Sequence, residues 1–563
     1  MLELMASRGL PPRRRMANLF LSAALLACHC GGDRHGGHEG DGGPDSAVDT
    51  DYSQDTCSES ETETVDTDFP SDAIPTTCVE AAASPTSVGC EFFMADLDIS
   101  QENDSSSKPY VVVVSNPQQD QMASITLRDG TDGEIYSTIL NPGQLDVIYV
   151  ACDSGCLVPP HQIETQGYAA GAGFQLTSEV PVLAYQWNPY GVDMDDWGNA
   201  DASLLIPKAS LDGTYIVAAW GIGPDNDFYD HFSQVTIVAT EDGTNLSFVP
   251  SVGVPAMGGA GPYPADVETE AIALDAFDVV TLSPAATDDD ITGTFVHADK
   301  PVVVFGSHSC ALVPNKDFGA CDHVEEQMIP LEAWGTSSVL ARHAPRHNCV
   351  SEDLVLWRII SGAADMRVVF DPPAPEPAGA EHHFTQQGEV LEFLAPNDYY
   401  VEGVFESPED PFHPGAPFLA YQLMTGSDFP DCYLHDGYDR EGDPLMLLAP
   451  PAGQYLDRYV FNTENVGDFD YDHIIIVRPP GAHVALDCLG LIPDSEFSMV
   501  GASGWEVARV YIDDPLDDTG CVDGAHLLTA SEPVGLSVVG TALAVSYGYL
   551  GGIGVRPINP VIE

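Results

Sequence analysis

Apolar residues in this chain come in short runs rather than helical stripes. Tyr110-Val-Val-Val-Val-Ser115, Gln234-Val-Thr-Ile-Val-Ala239 and His473-Ile-Ile-Ile-Val-Arg478 are β-branched and bounded by Gly, Pro, Asn or Asp, the pattern of buried strands. No stretch keeps a 3.6-residue apolar period over three turns, and the acidic segment 323–327 is the nearest approach to a helical turn. Asp129-Gly130 and Asp242-Gly243 supply residues that tolerate positive φ, which marks tight hairpins. The expected fold class is all-β.

The pattern repeats. A proline followed by an apolar strand recurs at Pro181, Pro301, Pro417 and Pro533, at spacings of 120, 116 and 116. A hairpin glycine recurs at Gly130, Gly243, Gly362 and Gly481, at spacings of 113, 119 and 119. Apolar runs closing in proline end at Pro207, Pro330 and Pro450. Three series sharing a period of about 118 residues predict about four tandem internal repeats, each the size of one β-sandwich. The expected units are residues 78–206, 207–329, 330–449 and 450–563. A closed β-propeller-like arrangement is the alternative, because units this long also suit enlarged blades.

Composition changes the picture at the N-terminus. Arg8, Arg13, Arg14 and Arg15 precede an apolar stretch, residues 16–27, which is too short to span a bilayer but suits a signal peptide. It ends in Leu25-Leu26-Ala27-Cys28, which resembles the lipobox of bacterial lipoproteins. That resemblance implies a signal peptide over residues 1–27 and lipidation of Cys28. His29 in the second mature position then implies sorting to the outer membrane, with the folded part periplasmic or at the cell surface. Residues 28–77 carry 13 carboxylates and two aromatics and read as an acidic disordered tether. Over the whole chain 87 acidic residues face 19 basic ones, a net charge of −68. Such a charge excludes a nucleic-acid partner, because phosphate is repelled, and leaves a lipid anchor as the membrane contact. An Asp-rich, Lys-poor surface also suits saline surroundings.

With Cys28 assigned to lipid, 12 of the 13 cysteines remain. Short spacings pair Cys78 with Cys90, Cys152 with Cys156, Cys310 with Cys321, and Cys488 with Cys521; Cys349 with Cys432 and Cys30 with Cys57 complete the set. Zinc is the other reading, but C-x3-C and C-x10-C do not make its usual knuckles.

Gly89-Cys90-Glu91-Phe92-Phe93, Pro181-Val182-Leu183-Ala184-Tyr185-Gln186, Asp201-Ala-Ser-Leu-Leu-Ile-Pro207 and Cys321-Asp322-His323-Val324-Glu325-Glu326-Gln327 resemble the IgGFc-binding-protein N-terminal domain family, in its bacterial, myxobacterial-type lipoprotein form. The resemblance covers about residues 78–560. It implies an extracellular, non-enzymatic β module that binds or adheres, and it carries no catalytic residues.

Searched for chemistry, the sequence lacks Gly-x-Ser-x-Gly, His-Glu-x-x-His and a phosphate-binding glycine loop. His343 and His347 stand four apart but are split by Pro345, so a surface or core-edge role is expected for them. His323 is expected to fill a polar pocket behind the Cys310–Cys321 loop. Calcium is the candidate cofactor. Asp468, Asp470 and Asp472 alternate, which puts three carboxylates on one side of an extended backbone. Asp225, Asp227 and Asp230 stand at the equivalent place in the second unit, and Asp193 and Asp195 open a partial echo of a calcium loop. Water and sodium around acidic loops are the alternative.

These readings favour a non-catalytic, lipid-anchored binding or adhesion protein of the bacterial envelope, with an extracellular protein or glycan as partner. A secreted hydrolase or lyase acting on an extracellular polymer is one alternative, and a structural envelope component is another.

Overall fold

Two kinds of strand differ in how they alternate. Ser233–Ala239, Val355–Ser361 and Tyr471–Arg478 are buried at every position, whereas Met366–Asp371 alternates buried and half-buried side chains. The first kind is covered on both faces and the second on one. The computed structural model describes residues 74–559, apart from 100–108, 132, 164–165, 191–198, 225–230, 258–260, 408–414, 430, 435–436, 438, 464–468 and 517–518. The signal peptide, Cys28, Cys30, Cys57 and nearly all of the tether lie outside the described residues.

The third unit shows the plan. Its eight strands are Ser337–Leu340, Val355–Ser361, Met366–Asp371, Glu381–Phe384, Val390–Ala395, Tyr399–Phe405, Phe418–Met424 and Met446–Ala449. The fifth, second, seventh and eighth form one antiparallel sheet, and the first, sixth, third and fourth form another. Trp357 and Phe393 from the first sheet meet Phe370 and Tyr399 from the second in a core shared by both. The other three units repeat the same strand order, so four sandwiches of one topology follow each other along the chain. In the first and last units the sixth and seventh strands fuse, as Phe174–Trp187 and Ala525–Ala542.

The landmark prolines stand where the chain crosses from one sheet to the other. Pro181 and Pro533 lie inside the fused strands, and Pro301 and Pro417 directly precede the seventh strands. A residue without an N–H suits a point where one ladder ends and the next begins. The glycine series is less uniform. Gly243, Gly362 and Gly481 join second strands to third, but Gly130 follows the third strand, Ala123–Asp129. Gly243 has φ +65° and Gly481 φ +78°, whereas Gly130 does not adopt positive φ. Close approach explains Gly130 instead: an added Cβ would lie 2.5 Å from Phe277 Cβ and 2.6 Å from Gly171 O. Residues 323–327, nearest in sequence to a helical turn, are strand Cys321–Gln327, because their backbone pairs with Phe305–Leu312. The one α-helix among the described residues is Cys78–Ala83, capped by Thr77 and Glu80.

The four eighth strands meet one another in a ring, so the sandwiches stand round a common axis as blades, the propeller-like arrangement. From each of the first three axial strands the chain passes into a short 3-10 turn, with Pro207, Pro330 or Pro451 at its N-cap, before the next unit begins. Arg358 ties the second and third units, donating to Ala219 O at 2.7 Å and Asp290 Oδ2 at 2.5 Å over the Trp220 ring. The ring closes where the last unit meets the first. Ser87 N donates to Ile553 O at 2.8 Å, Val555 N to Pro85 O at 3.0 Å, and Ile553 N to Ser87 Oγ at 3.1 Å. Among the described residues five disulfides join Cys78 to Cys90, Cys152 to Cys156, Cys310 to Cys321, Cys349 to Cys432, and Cys488 to Cys521. Four of these were expected from short spacing, and Cys349 with Cys432, 83 residues apart, was expected as a pair that completes the set.

Candidate functional site: the axial carboxylates

Trp187, Ser307, Leu423 and Val539 each stand six residues beyond their landmark proline. They pair with Ala202, Glu325, Met446 and Gly548, which makes those four axial positions equivalent. All four backbone N–H groups converge on a single side chain. Asp201 Oδ1 accepts from Ala202 N at 2.9 Å and Gly548 N at 3.1 Å; Oδ2 accepts from Glu325 N at 3.1 Å and Met446 N at 3.0 Å. Four donors round an axis require an anion or its equivalent, and the first unit supplies it. Burial pushes the Asp201 carboxyl above its ordinary range, and the four donors oppose that shift. The residues equivalent to Asp201 in the other units, Val324, Leu445 and Tyr547, have no carboxylate.

Neighbouring side chains repeat the device between pairs of blades. Glu326 Oε1 accepts from Leu448 N at 3.1 Å, Gln327 Oε1 from Ile206 N at 2.9 Å, and Asp322 Oδ1 from Ala200 N at 2.7 Å. Glu325 accepts from Gln186 Nε2 at 3.1 Å and lies 3.3 Å from His323 Nε2. Burial lowers His323 to about 3 and raises Glu325, so both shifts work against an ion pair at that contact.

The histidines divide. His323 fills a fully buried polar site, as expected. His343 is also fully buried and lowered to about 3 by burial, whereas a surface or core-edge role was expected; its Nδ1 lies 2.6 Å from Ala344 O. His347 is half-buried beside Glu441, whose carboxylate raises it. Nearby, Asp353 is held well below the carboxylate range. Burial opposes that shift, but Arg346 Nη2 at 2.9 Å outweighs it.

Of the candidate calcium ligands, Asp193, Asp195, Asp225, Asp227, Asp230 and Asp468 lie outside the described residues. Asp470 is half-buried, and its N–H donates to Thr541 O at 3.0 Å. Asp472 is fully buried and accepts from the Tyr547 hydroxyl. The axial acids were missed as a site, although Asp201 and residues 321–327 stand in the quoted sequence phrases. Their signal was carboxylates set directly before the apolar runs that close in proline.

Asp96 offers a readout of buried charge at the edge of this network. It is 5% exposed, accepts from His161 N at 2.9 Å, and burial raises it to about 7. A raised carboxyl stabilises the fold below its unfolded pKa near 4, and that contribution is lost as pH rises through about 7. Three units amount to ~4 kcal/mol. Asp96→Asn should therefore match wild type near pH 4 and exceed it in unfolding free energy by about 2–4 kcal/mol at pH 8. Urea titrations across that range measure the gap, and a gap constant with pH contradicts the assignment.

The family model described as IgGFc binding protein matches residues 201–540, more than half of the chain, from the axial aspartate to the last unit's long strand. This chain belongs to the IgGFc-binding protein family. The human IgGFc-binding protein is 21% identical over 462 residues, 81% of this chain and 7% of the relative, so the chain spans only a small part of that protein's length. No solved structure matches the chain significantly.

Proposed function

We propose that this IgGFc-binding family member is a non-catalytic binding module displayed outside a bacterial cell, tethered by a lipid on Cys28 and an acidic linker. Its partner is an extracellular protein. One observation carries the reading: the family match falls on the ring of sandwiches, and the human relative is named for binding another protein. The axial acids fit a scaffold role, since Asp201, Glu326 and Asp322 accept from backbone N–H groups of neighbouring blades. The grooves between units are open and mixed in polarity. One of about 410 Å³ lies between Pro117, Gln118 and Pro142 of the first unit and Arg458, Asp487 and His526 of the last.

Residues 74–563, immobilised and probed with Fc fragments, mucins, secreted proteins and a glycan array, should bind at least one protein saturably at micromolar concentration or tighter. Binding to glycans alone would overturn the choice of partner, and turnover of a polymer with no binding would overturn the class. In cells grown with an alkyne-labelled fatty acid, wild type should take up label and Cys28→Ser should not. An unlabelled wild type would remove the anchor from the reading.

A further inference from the structure

Three residues before each of the four converging N–H groups stand Asn199, Asp322, Asp443 and Val545, a second equivalent layer round the axis. Adjacent units thus bring two carboxylates together, Asp322 on its axial strand and Asp443 just before the next one. Asp322 is 0% exposed and Asp443 2%. Asp322 Oδ1 accepts from Ala200 N and His323 N, but Oδ2 has no hydrogen-bond partner among the described residues. Ser427 N donates to Asp443 Oδ1 at 3.1 Å, and the Ser427 hydroxyl, also fully buried, has no partner either.

More oxygens gather at the same place. An added Cβ on Gly426 would lie 2.7 Å from Ala320 O, 3.3 Å from Asp443 Oδ1 and 3.5 Å from Val313 O, so two carbonyls and a carboxylate surround one small volume. The cations nearest Asp443 are otherwise engaged. Arg346 donates to Asp353, Thr425 and Phe429, and Arg440 pairs with Asp428 and Asp431. Burial first, and then Asp443, raises Asp322; burial raises Asp443 to about 7. Two buried carboxylates whose nearest arginines are bonded to other groups, an orphan hydroxyl and two backbone carbonyls, of which Val313 O also accepts from Gly426 N at 2.8 Å, make an all-oxygen donor set, which suits a hard cation that takes six to eight oxygens.

We propose that the ring axis carries a buried calcium-class cation site formed by Asp322, Asp443 and the Ser427 hydroxyl, with the carbonyls of Ala320 and Val313. It is separate from the acidic loops singled out in the sequence and does not depend on the binding function.

The test uses the full chain, stripped with a chelator and returned to calcium chloride against sodium chloride of equal ionic strength, followed by calorimetric titration and thermal unfolding. Wild type should take up calcium and melt higher as calcium rises. The double substitution Asp322→Asn with Asp443→Asn should bind at least tenfold more weakly while melting no lower than wild type in chelator. Ser427→Ala, which keeps both carboxylates, should weaken binding several-fold and covers the case in which the double variant does not fold. Asp470→Asn should leave this binding unchanged. Equal calcium responses in wild type and Ser427→Ala or the double variant would overturn the site. So would a wild type indifferent to calcium whose protonated-carboxyl infrared band vanishes in Asp443→Asn, since the pair would then share a proton.

Discussion

Asp201→Asn lowers the unfolding free energy on the order of 5 kcal/mol, the largest effect expected of any single substitution in this chain. Asparagine is nearly isosteric, so packing does not explain the loss. Its oxygen still accepts two of the four converging N–H groups, but its amide turns a donor toward the other two. Two buried donors left without acceptors cost about 1–3 kcal/mol each, and the charge that strengthened the remaining bonds is gone. No other unit offers a substitute, because Val324, Leu445 and Tyr547 stand at the equivalent positions. Urea unfolding measures the loss, and amide exchange locates it: protection should fall at Glu325, Met446 and Gly548 together. A variant that unfolds within 1 kcal/mol of wild type, with those amides still protected, would show that the axis is held by packing alone.

Removing residues 551–563 should open the ring. Those residues bring Ile553 and Val555, 1% and 3% exposed, against the first unit and make backbone bonds to Pro85, Ser87, Glu332 and Gln454. Burying the two side chains contributes about 1.5–3 kcal/mol each, before the hydrogen bonds are counted. The third unit's core does not depend on this segment, because it is built wholly from that unit's own residues, whereas Ile553 and Val555 belong to the larger core that includes the last unit. The truncated chain is therefore expected to keep its β content, expand in solution, melt at least ~10 °C lower and become sensitive to protease near residues 84–88. Small-angle scattering and limited proteolysis decide the matter. An unchanged radius and cleavage pattern would mean that the blades hold together without this closure.

Much of the unit was legible in the chain. Tyr110–Ser115 and Val355–Ser361 read as buried strands because a sheet covered on both faces needs apolar side chains at every position. The landmark prolines gave the period because each copy must cross between sheets at the same point. Cysteines close in sequence paired because short loops bring them together at little entropic cost. Other signals misled. Gly130 fitted a series by spacing, but it is fixed by the approach of Phe277 from the next unit, a contact invisible in a local pattern. Residues 323–327 looked nearest to a helix because two glutamates, a histidine and a glutamine have no place in an ordinary buried strand. Their polar atoms are bonded across the axis to residues about 120 positions away.

The sequence by itself determined the strand type, the fourfold repetition and the acid excess, because each is set by neighbours within one unit; it suggested the close cysteine pairs without fixing them. Tertiary structure decided that the units close into a ring and that Asp201 stands where four backbone donors meet. It also decided that Asp322 and Asp443, from different units, are buried close enough that Asp443 raises Asp322. These outcomes need segments from different units to meet at one axis, and no pattern within a unit encodes which carboxylate the convergence will select.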